Sequence, residues 1–237
     1  MPLPYTGKKG ELNFQEDLVT LLKDVGWEDK TLNDITGHKY VTEQDFIDNW
    51  KNIIFENNKQ SDRLNGVPLS DDEMQQILKK VDLECNTPIK ANIFINRNEK
   101  ENIQITRDVN SKDTKNAGQP VYLTLFSPEE IAGGKTRYQI AEQIEFKTGK
   151  HFNDRRGDIM LLINGMPLIH IELKASGVPV IEATNQIETY AKEKVFTGVF
   201  SLIQVFFAIT PEDAVYFSNP GDYSKYNSAF FFHQHFL

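Results

Sequence analysis

The chain has 237 residues, 39% of them hydrophobic, enough to bury the core of one large domain or two small ones. A formal net charge of −8 argues against a free-standing DNA-binding protein, whose phosphate contacts come from Lys and Arg; it leaves room for an enzyme with a local basic lip, or a module brought to DNA by an assembly. The single cysteine, Cys85, excludes an internal disulfide and fits a reducing, cytoplasmic setting, MPLPYTGKKG lacks the apolar stretch of a secretory signal, and the longest apolar run, Leu202–Ile209, is too short to cross a bilayer.

Residues 11–26 read as a helix, with Phe14, Leu18, Leu21, Leu22 and Val25 on one face and Gly26 as its stop. Glu11 and Gln15 lie four apart on the flank of that face. Residues 43–58 predict a second helix, with Phe46, Trp50, Ile53 and Ile54 as an ordinary buried stripe. Ser70, with Glu73 three residues on, has the form of a capping box. It opens a third helix that buries Met74, Ile77, Leu78 and Val81, and the acids of its first turn read as capping and solvated. NIFIN and NIQIT, between Asn92 and Thr106, alternate around a charged turn, Arg97–Glu101; they read as a hairpin or as pieces of a helix end. Residues 107–120 are polar and turn-rich, and predict a mobile loop. Tyr122–Phe126 and Arg137–Lys147 are predicted strands that enter the sheet beside the hairpin described next. Gly133-Gly134-Lys135-Thr136 imitates the end of a phosphate-binding loop, but Glu129 stands where that pattern has its first glycine, so no nucleotide site is read there.

Lys147, Lys150, His151, Arg155 and Arg156 cluster before Asp158 and form the best candidate for a phosphate-contacting lip, a solvated loop being the alternative. The stretch that follows, DIMLLINGMPLIHIELK, has two apolar runs joined by Asn164, Gly165, Met166 and Pro167, a strong hairpin signal. Alternation sets His170, Glu172 and Lys174 on one face and Ile169, Ile171 and Leu173 on the other, into the core. Asp158 can oppose Glu172 only if Ile163 opposes Pro167. A strict two-residue turn would set Asp158 against Ile171 and turn the acid to the wrong face. The expectation is therefore a three-residue loop with Gly165 at positive φ, or a bulge of equal effect. Two carboxylates suit Mg²⁺, which is held by carboxylate, water and phosphate oxygens. Asp158 and Glu172 are the candidate metal ligands, and Lys174 is the candidate stabiliser of charge on a phosphoryl transition state. His170 reads as packed or hydrogen-bonded and not as a ligand.

After Lys174, Gly177 and Pro179 break the strand, and residues 181–194 predict a helix that sets Gln186 and Tyr190 on one face. Leu202–Ile209 has the apolar run of a strand covered on both sides and closes a βαβ crossover, with Ala214–Phe217 as an edge strand. The apolar ending SAFFFHQHFL predicts a chain that continues past Leu237, a docked terminal element being the alternative.

Asp158, a spacer of 13 residues and Glu172-x-Lys174 resemble the PD-(D/E)XK nuclease superfamily, with Gly157 where that pattern has proline. RRGDIMLLINGMPLIHIELKAS followed by EATNQIETY resembles the N-terminal nuclease region of the R subunit of type I restriction enzymes, and ELNFQEDLVTLLKDVGWE resembles that region's opening helix. The resemblance covers most of the chain, best over 155–210 and weakest over 90–150. It implies one α/β nuclease domain, a fragment of a longer polypeptide spanning 1–237, with a core at about 121–217 and a mixed sheet flanked by helices. It implies Mg²⁺-dependent cleavage of double-stranded DNA, with Asp158, Glu172 and Lys174 catalytic and Gln186 and Tyr190 supporting the centre or touching DNA. Glu11 or Gln15 would lean over the metal site, against the plainer reading of a solvated helix start. ATP would be used only by a motor further along the subunit, and methylation and specificity subunits would be the partners. The rivals are another nuclease of the superfamily, of repair or resolvase type, and a binding module without chemistry.

Overall fold

The computed structural model describes residues 5–96, 103–125, 136–147, 155–222 and 231–235. In chain order its elements are α1 (Gly7–Asp24), α2 (Leu32–Thr36), β1 (Val41–Thr42), α3 (Glu43–Asn57), α4 (Asp71–Glu84), α5 (Pro88–Ile95), β2 (Ile103–Thr106), β3 (Pro120–Leu123), β4 (Tyr138–Phe146), β5 (Arg155–Ile163), β6 (Met166–Leu173), α6 (Ile181–Lys192), a 3₁₀ turn (Gly198–Leu202), β7 (Val205–Ile209), β8 (Asp213–Ser218) and β9 (Phe232–His235). Seven strands make one sheet in the order β1-β4-β5-β6-β7-β8-β9. The β1–β4 and β6–β7 pairs are parallel and the other neighbours antiparallel. The expected mixed sheet, antiparallel at the hairpin and parallel across the β6–α6–β7 crossover, is what forms.

Helices cover both faces because the central strands are apolar on both. On one side Phe14, Leu18, Val19 and Leu22 of α1 pack over Ile140, Ile159, Leu161, Ile171 and Leu173. On the other, a larger core joins Phe46 and Trp50 of α3, Ile187 and Tyr190 of α6, and Phe146 and Phe206 of the sheet. The α1 stripe is narrower than predicted: Leu21 and Val25 are 60% and 77% exposed, whereas Gln15 is only 5% exposed. With Gln15 buried, the solvated-start reading does not hold for that residue. No helix among the described residues is long and apolar enough to cross a membrane.

Of the two readings of the 92–106 stretch, the helix end holds for NIFIN, which is the last turn of α5; Ile103–Thr106 pairs with β3, so the two runs do not form a hairpin with each other. That pairing makes β2 and β3 a separate ribbon, and the Tyr122 run does not join the main sheet. Finally, β8 is not an edge: β9 pairs with it, and Tyr216 stacks on Phe232 with ring centroids 5.1 Å apart. The Arg97–Glu101 turn, the Gly133-Gly134-Lys135 turn, Lys150 and His151 lie outside the described residues.

The Ser70–Glu73 capping box forms, with Ser70 N–H donating to Glu73 Oε2 at 2.9 Å. Glu73 is buried rather than solvated, however. Arg107 Nη1 donates to its Oε2 at 2.7 Å and the Asp108 N–H to its Oε1 at 2.7 Å. Arg107 is itself buried, with Nε 3.7 Å from Asp113 Oδ2. Its backbone N–H bonds Gln119 and its carbonyl accepts from Gly118. The loop predicted as mobile is thus pinned at both ends and at Asp113 by buried charge. Removing one partner of a buried ion pair leaves the other charge uncompensated, which costs about 3–5 kcal/mol. Arg107→Ala is therefore expected to lower stability by about that much in urea unfolding, and a loss below about 1 kcal/mol would show that solvent replaces the pair.

Candidate active site

The hairpin turn has two residues, Asn164 at φ 50° and Gly165 at φ 82°, as a tight β-turn with both centres left-handed requires. Gly165 is needed twice over, since a Cβ there would lie 2.9 Å from Trp50 Cα. Ile163 faces Met166 and Leu162 faces Pro167, but Leu161 then faces Ile169. Leu168 is the extra residue of a bulge, and its carbonyl accepts from the Gln204 N–H at 2.8 Å. Of the two expected solutions the chain uses the bulge and not the three-residue loop. Pairing continues to Ile159–Ile171, and the next step sets Asp158 across from Glu172.

There the strands part. Asp158 Oδ2 accepts from the Leu173 N–H at 2.7 Å, taking the place of a ladder carbonyl, while the Lys174 N–H donates to Ile209 O of β7 at 3.0 Å. On the far side of β5, Gln143 of β4 adopts φ 52° and drops out of the pairing beside Asp158. Glu172 is 1% exposed. Its Oε2 lies 3.2 Å from His170 Nε2, and its Oε1 has no hydrogen-bond partner and lies 3.8 Å from Lys174 Nζ. Lys174 Nζ donates to the Leu173 carbonyl at 2.9 Å. The three residues predicted as a site are therefore together.

Their electrostatics follow from dryness. Burial, then the neighbouring Glu172 charge, raises Asp158 well above the ordinary carboxylate range. Burial pushes Glu172 up to about 8, against the Lys174 charge and contact with Asp158. Two carboxyls that close in low dielectric repel one another when ionised, which adds to the upward shift of Asp158. Burial lowers His170 to about 4, opposed by the Asp158 charge and by the nearby Ile159 backbone, which does not meet hydrogen-bond geometry at the ring.

The remaining candidates sort by contact. The Tyr190 hydroxyl donates to the Arg156 carbonyl and accepts from Gln186 Nε2, so this pair clamps β5 two residues before Asp158. Arg155 makes a two-pronged ion pair with Glu193, through Nε at 2.7 Å and Nη2. Arg156 is exposed, with its guanidinium 5.2 Å from the Tyr40 ring centre. Both arginines border an open concavity with Asn185, Gln186 and Tyr190. Glu11 adds negative charge to Asp158 and Glu172. Gln15 Nε2 donates to Glu142 Oε2 at 2.9 Å, and Gln143 Nε2 to Gln15 Oε1 at 2.8 Å. Glu142 and Gln143 are not among the predicted site residues: alternation from Ile140 sets Glu142 on the α1 face, and the irregularity at Gln143 brings its side chain to Gln15 as well. Among the described residues no three His, Cys, Asp or Glu side chains form a metal cage. An ion here would need backbone and solvent oxygens beside the two carboxylates, as Mg²⁺ tolerates and Zn²⁺ does not favour.

Gly157 also has a physical reason. A Cβ at this position would lie 2.6 Å from His170 Cε1 and 2.8 Å from Phe146 Cε2. The rings fill the space that a side chain at this position would need.

These observations define a class: a mixed α/β domain with an acidic pair and a lysine where two central strands separate. The family model for the type I restriction enzyme R protein N terminus matches residues 13–225, and the chain belongs to that family. It is 30% identical over 224 residues to a type I restriction enzyme endonuclease subunit of Staphylococcus saprophyticus, covering 94% of this chain and 21% of the relative. It is 28% identical over 212 residues to one of Staphylococcus aureus, covering 89% and 20%. It is 39% identical over 87 residues to the type I restriction enzyme EcoprrI endonuclease subunit of Escherichia coli, covering 36% and 27%. The chain spans about a fifth of the length of the staphylococcal relatives.

Two outcomes are expected. Because folding raises the Glu172 pKa to about 8, the folded state favours the protonated acid; that stability is full below the ordinary carboxylate range and is lost as pH rises through about 8. In EDTA, Glu172→Gln should therefore melt above wild type at about pH 9, with the gap closing toward about pH 5; a gap independent of pH would rule burial out as its cause. Gly157→Ala should cost about 1–3 kcal/mol by overpacking against two rings, measured by urea unfolding; a neutral result would mean the rings move freely.

Proposed function

We propose that this chain is the Mg²⁺-dependent endonuclease module of a type I restriction enzyme R subunit, cutting phosphodiester bonds of double-stranded DNA from a PD-(D/E)XK core. The single observation that carries the chemistry is Glu172 Oε1, a buried carboxylate oxygen without a hydrogen-bond partner, beside a second carboxylate and an ammonium. Leaving such an acceptor unpaired costs about 1–3 kcal/mol, more when charged. The donor set fits a hard divalent cation, and Asp158 and Glu172 are the residues that would hold it. When bound, Mg²⁺ supplies Lewis acidity for the attacking water and the phosphoryl oxygens.

The chain's own residues do the rest. Lys174 carries fixed positive charge at the strand end, held by the Leu173 carbonyl, where it can donate to a phosphate oxygen as negative charge builds. Tyr190 and Gln186 act through β5, fixing the backbone that carries Asp158; Tyr190 is too buried to touch DNA. Arg156 is the basic residue best placed for a phosphate, and Arg155 must leave Glu193 to make one. Gln15, Glu142 and Gln143 form the wall on the α1 side, and the Glu11 charge acts on both acids.

Membership of the R-subunit family supports this reading, as do relatives named as endonuclease subunits. It assigns ATP-driven movement to the remainder of a full-length subunit, sequence recognition to methylation and specificity subunits, and the cytoplasm as the compartment. A repair or resolvase nuclease gains no support from these relatives. A binding module without chemistry would leave the dry acid pair as uncompensated cost.

In the assembled enzyme, Lys174→Ala should lower Mg²⁺-dependent cleavage of plasmid DNA by at least about 100-fold while DNA binding persists. Cleavage at the wild-type rate would overturn the role given to Lys174.

A further inference from the structure

His170 is fully buried on β6, two residues before Glu172 and on the same face. Phe146, Tyr190, Phe196 and Phe206 surround its ring, with centroids 5.8, 6.2, 5.7 and 6.2 Å away. An aromatic box of this kind suits a phenylalanine. An imidazole placed in it must give up hydration of two ring nitrogens, and Nδ1 recovers no hydrogen bond. The ring's one side-chain polar contact is Nε2 to Glu172 Oε2 at 3.2 Å, with the Ile159 backbone nearby.

That contact has a directional consequence. The terminal torsion of a glutamate is broad and roughly two-fold, so an unrestrained carboxylate swings freely between neighbours. Once ionised, a carboxylate only accepts, so Nε2 must be the donor whatever the charge on the ring. Holding Oε2 in the box leaves Oε1 as the oxygen toward Lys174, 3.8 Å from its Nζ. Gly157 makes room for this, since any Cβ there would strike His170 Cε1.

We propose that His170 is a positioning residue that fixes the rotation of the Glu172 carboxylate, so that Oε1 is presented to a divalent cation. The inference rests on the metal-site reading above, and its test separates the two. Mn²⁺ is titrated by electron paramagnetic resonance into the full-length subunit as wild type, Glu172→Ala, His170→Phe, His170→Leu and His170→Gln, with melting curves alongside. Supporting contacts of this kind are worth about 10–100-fold in metal affinity. His170→Phe should keep the fold and weaken Mn²⁺ binding by that factor, whereas His170→Gln, whose amide nitrogen can donate in the same place, should recover most of it. His170→Leu replaces His170→Phe if the latter fails to fold. If wild type binds Mn²⁺, Glu172→Ala abolishes the binding and the folded apolar variant binds as wild type does, the positioning role is overturned alone. If wild type takes up no Mn²⁺, the metal reading falls and this inference with it.

Discussion

The extra residue at Leu168 sets the geometry on which the site depends. Side chains on a strand alternate, so a slip of one residue would exchange Glu172 with Ile171 and put a charge beneath the apolar stripe of α1. The bulge prevents this after a turn that is otherwise the tightest available. It is held from outside the hairpin: Gln204, entering β7, takes the freed Leu168 carbonyl, and Trp50 of α3 closes on Gly165. Asn164 adds a third tie, since its side chain accepts from the Arg137 N–H at the start of β4. The position of two carboxyls is thus fixed by contacts made at the opposite end of the hairpin.

Two buried acids in this fold make an instructive contrast. Glu73 is fully compensated, with a guanidinium, a capping serine N–H and a loop N–H on its oxygens. It holds a loop in place and offers nothing further to bind. Glu172 is as dry, yet one oxygen is orphaned and its nearest charged neighbours are another acid and a lysine beyond hydrogen-bond range. The first arrangement is what structure alone calls for. The second leaves one oxygen beside an acid and a lysine without a hydrogen-bond donor of its own, which is why the metal proposal rests on Glu172 and not on Glu73.

The supports of the site lie on α1 and α6, which cover opposite faces of the sheet. On the α6 side, Tyr190 and Gln186 tie down β5, and Arg155 is drawn to Glu193 at the helix end. On the α1 side, Gln15 bridges Glu142 and Gln143 at the irregular point of β4. The strands at the centre can part because the helices hold what the ladder releases there. With Arg155 paired to Glu193, Arg156 is the exposed arginine beside the concavity on this side.

Local pattern was enough for the sheet core, for the α3 stripe, for the Ser70 cap and for the proximity of Asp158, Glu172 and Lys174, because each depends on alternation, helical period or a turn with a known sequence signal. It also limited the turn to two solutions without choosing between them; Gln204, 36 residues after Leu168, made the choice. What the sequence left undetermined shares one cause: partners far apart in the chain. Glu73 looks like a solvated cap until Arg107 reaches it, Gln15 looks like a helix surface until Gln143 turns, and β8 looks like an edge until β9 arrives. Gly157 looks like a departure from a motif until His170 and Phe146 occupy its space. Residue type and spacing determined which groups could meet; only tertiary packing decided which stay dry, and dryness is what turns an ordinary pair of carboxyls into a candidate cation site.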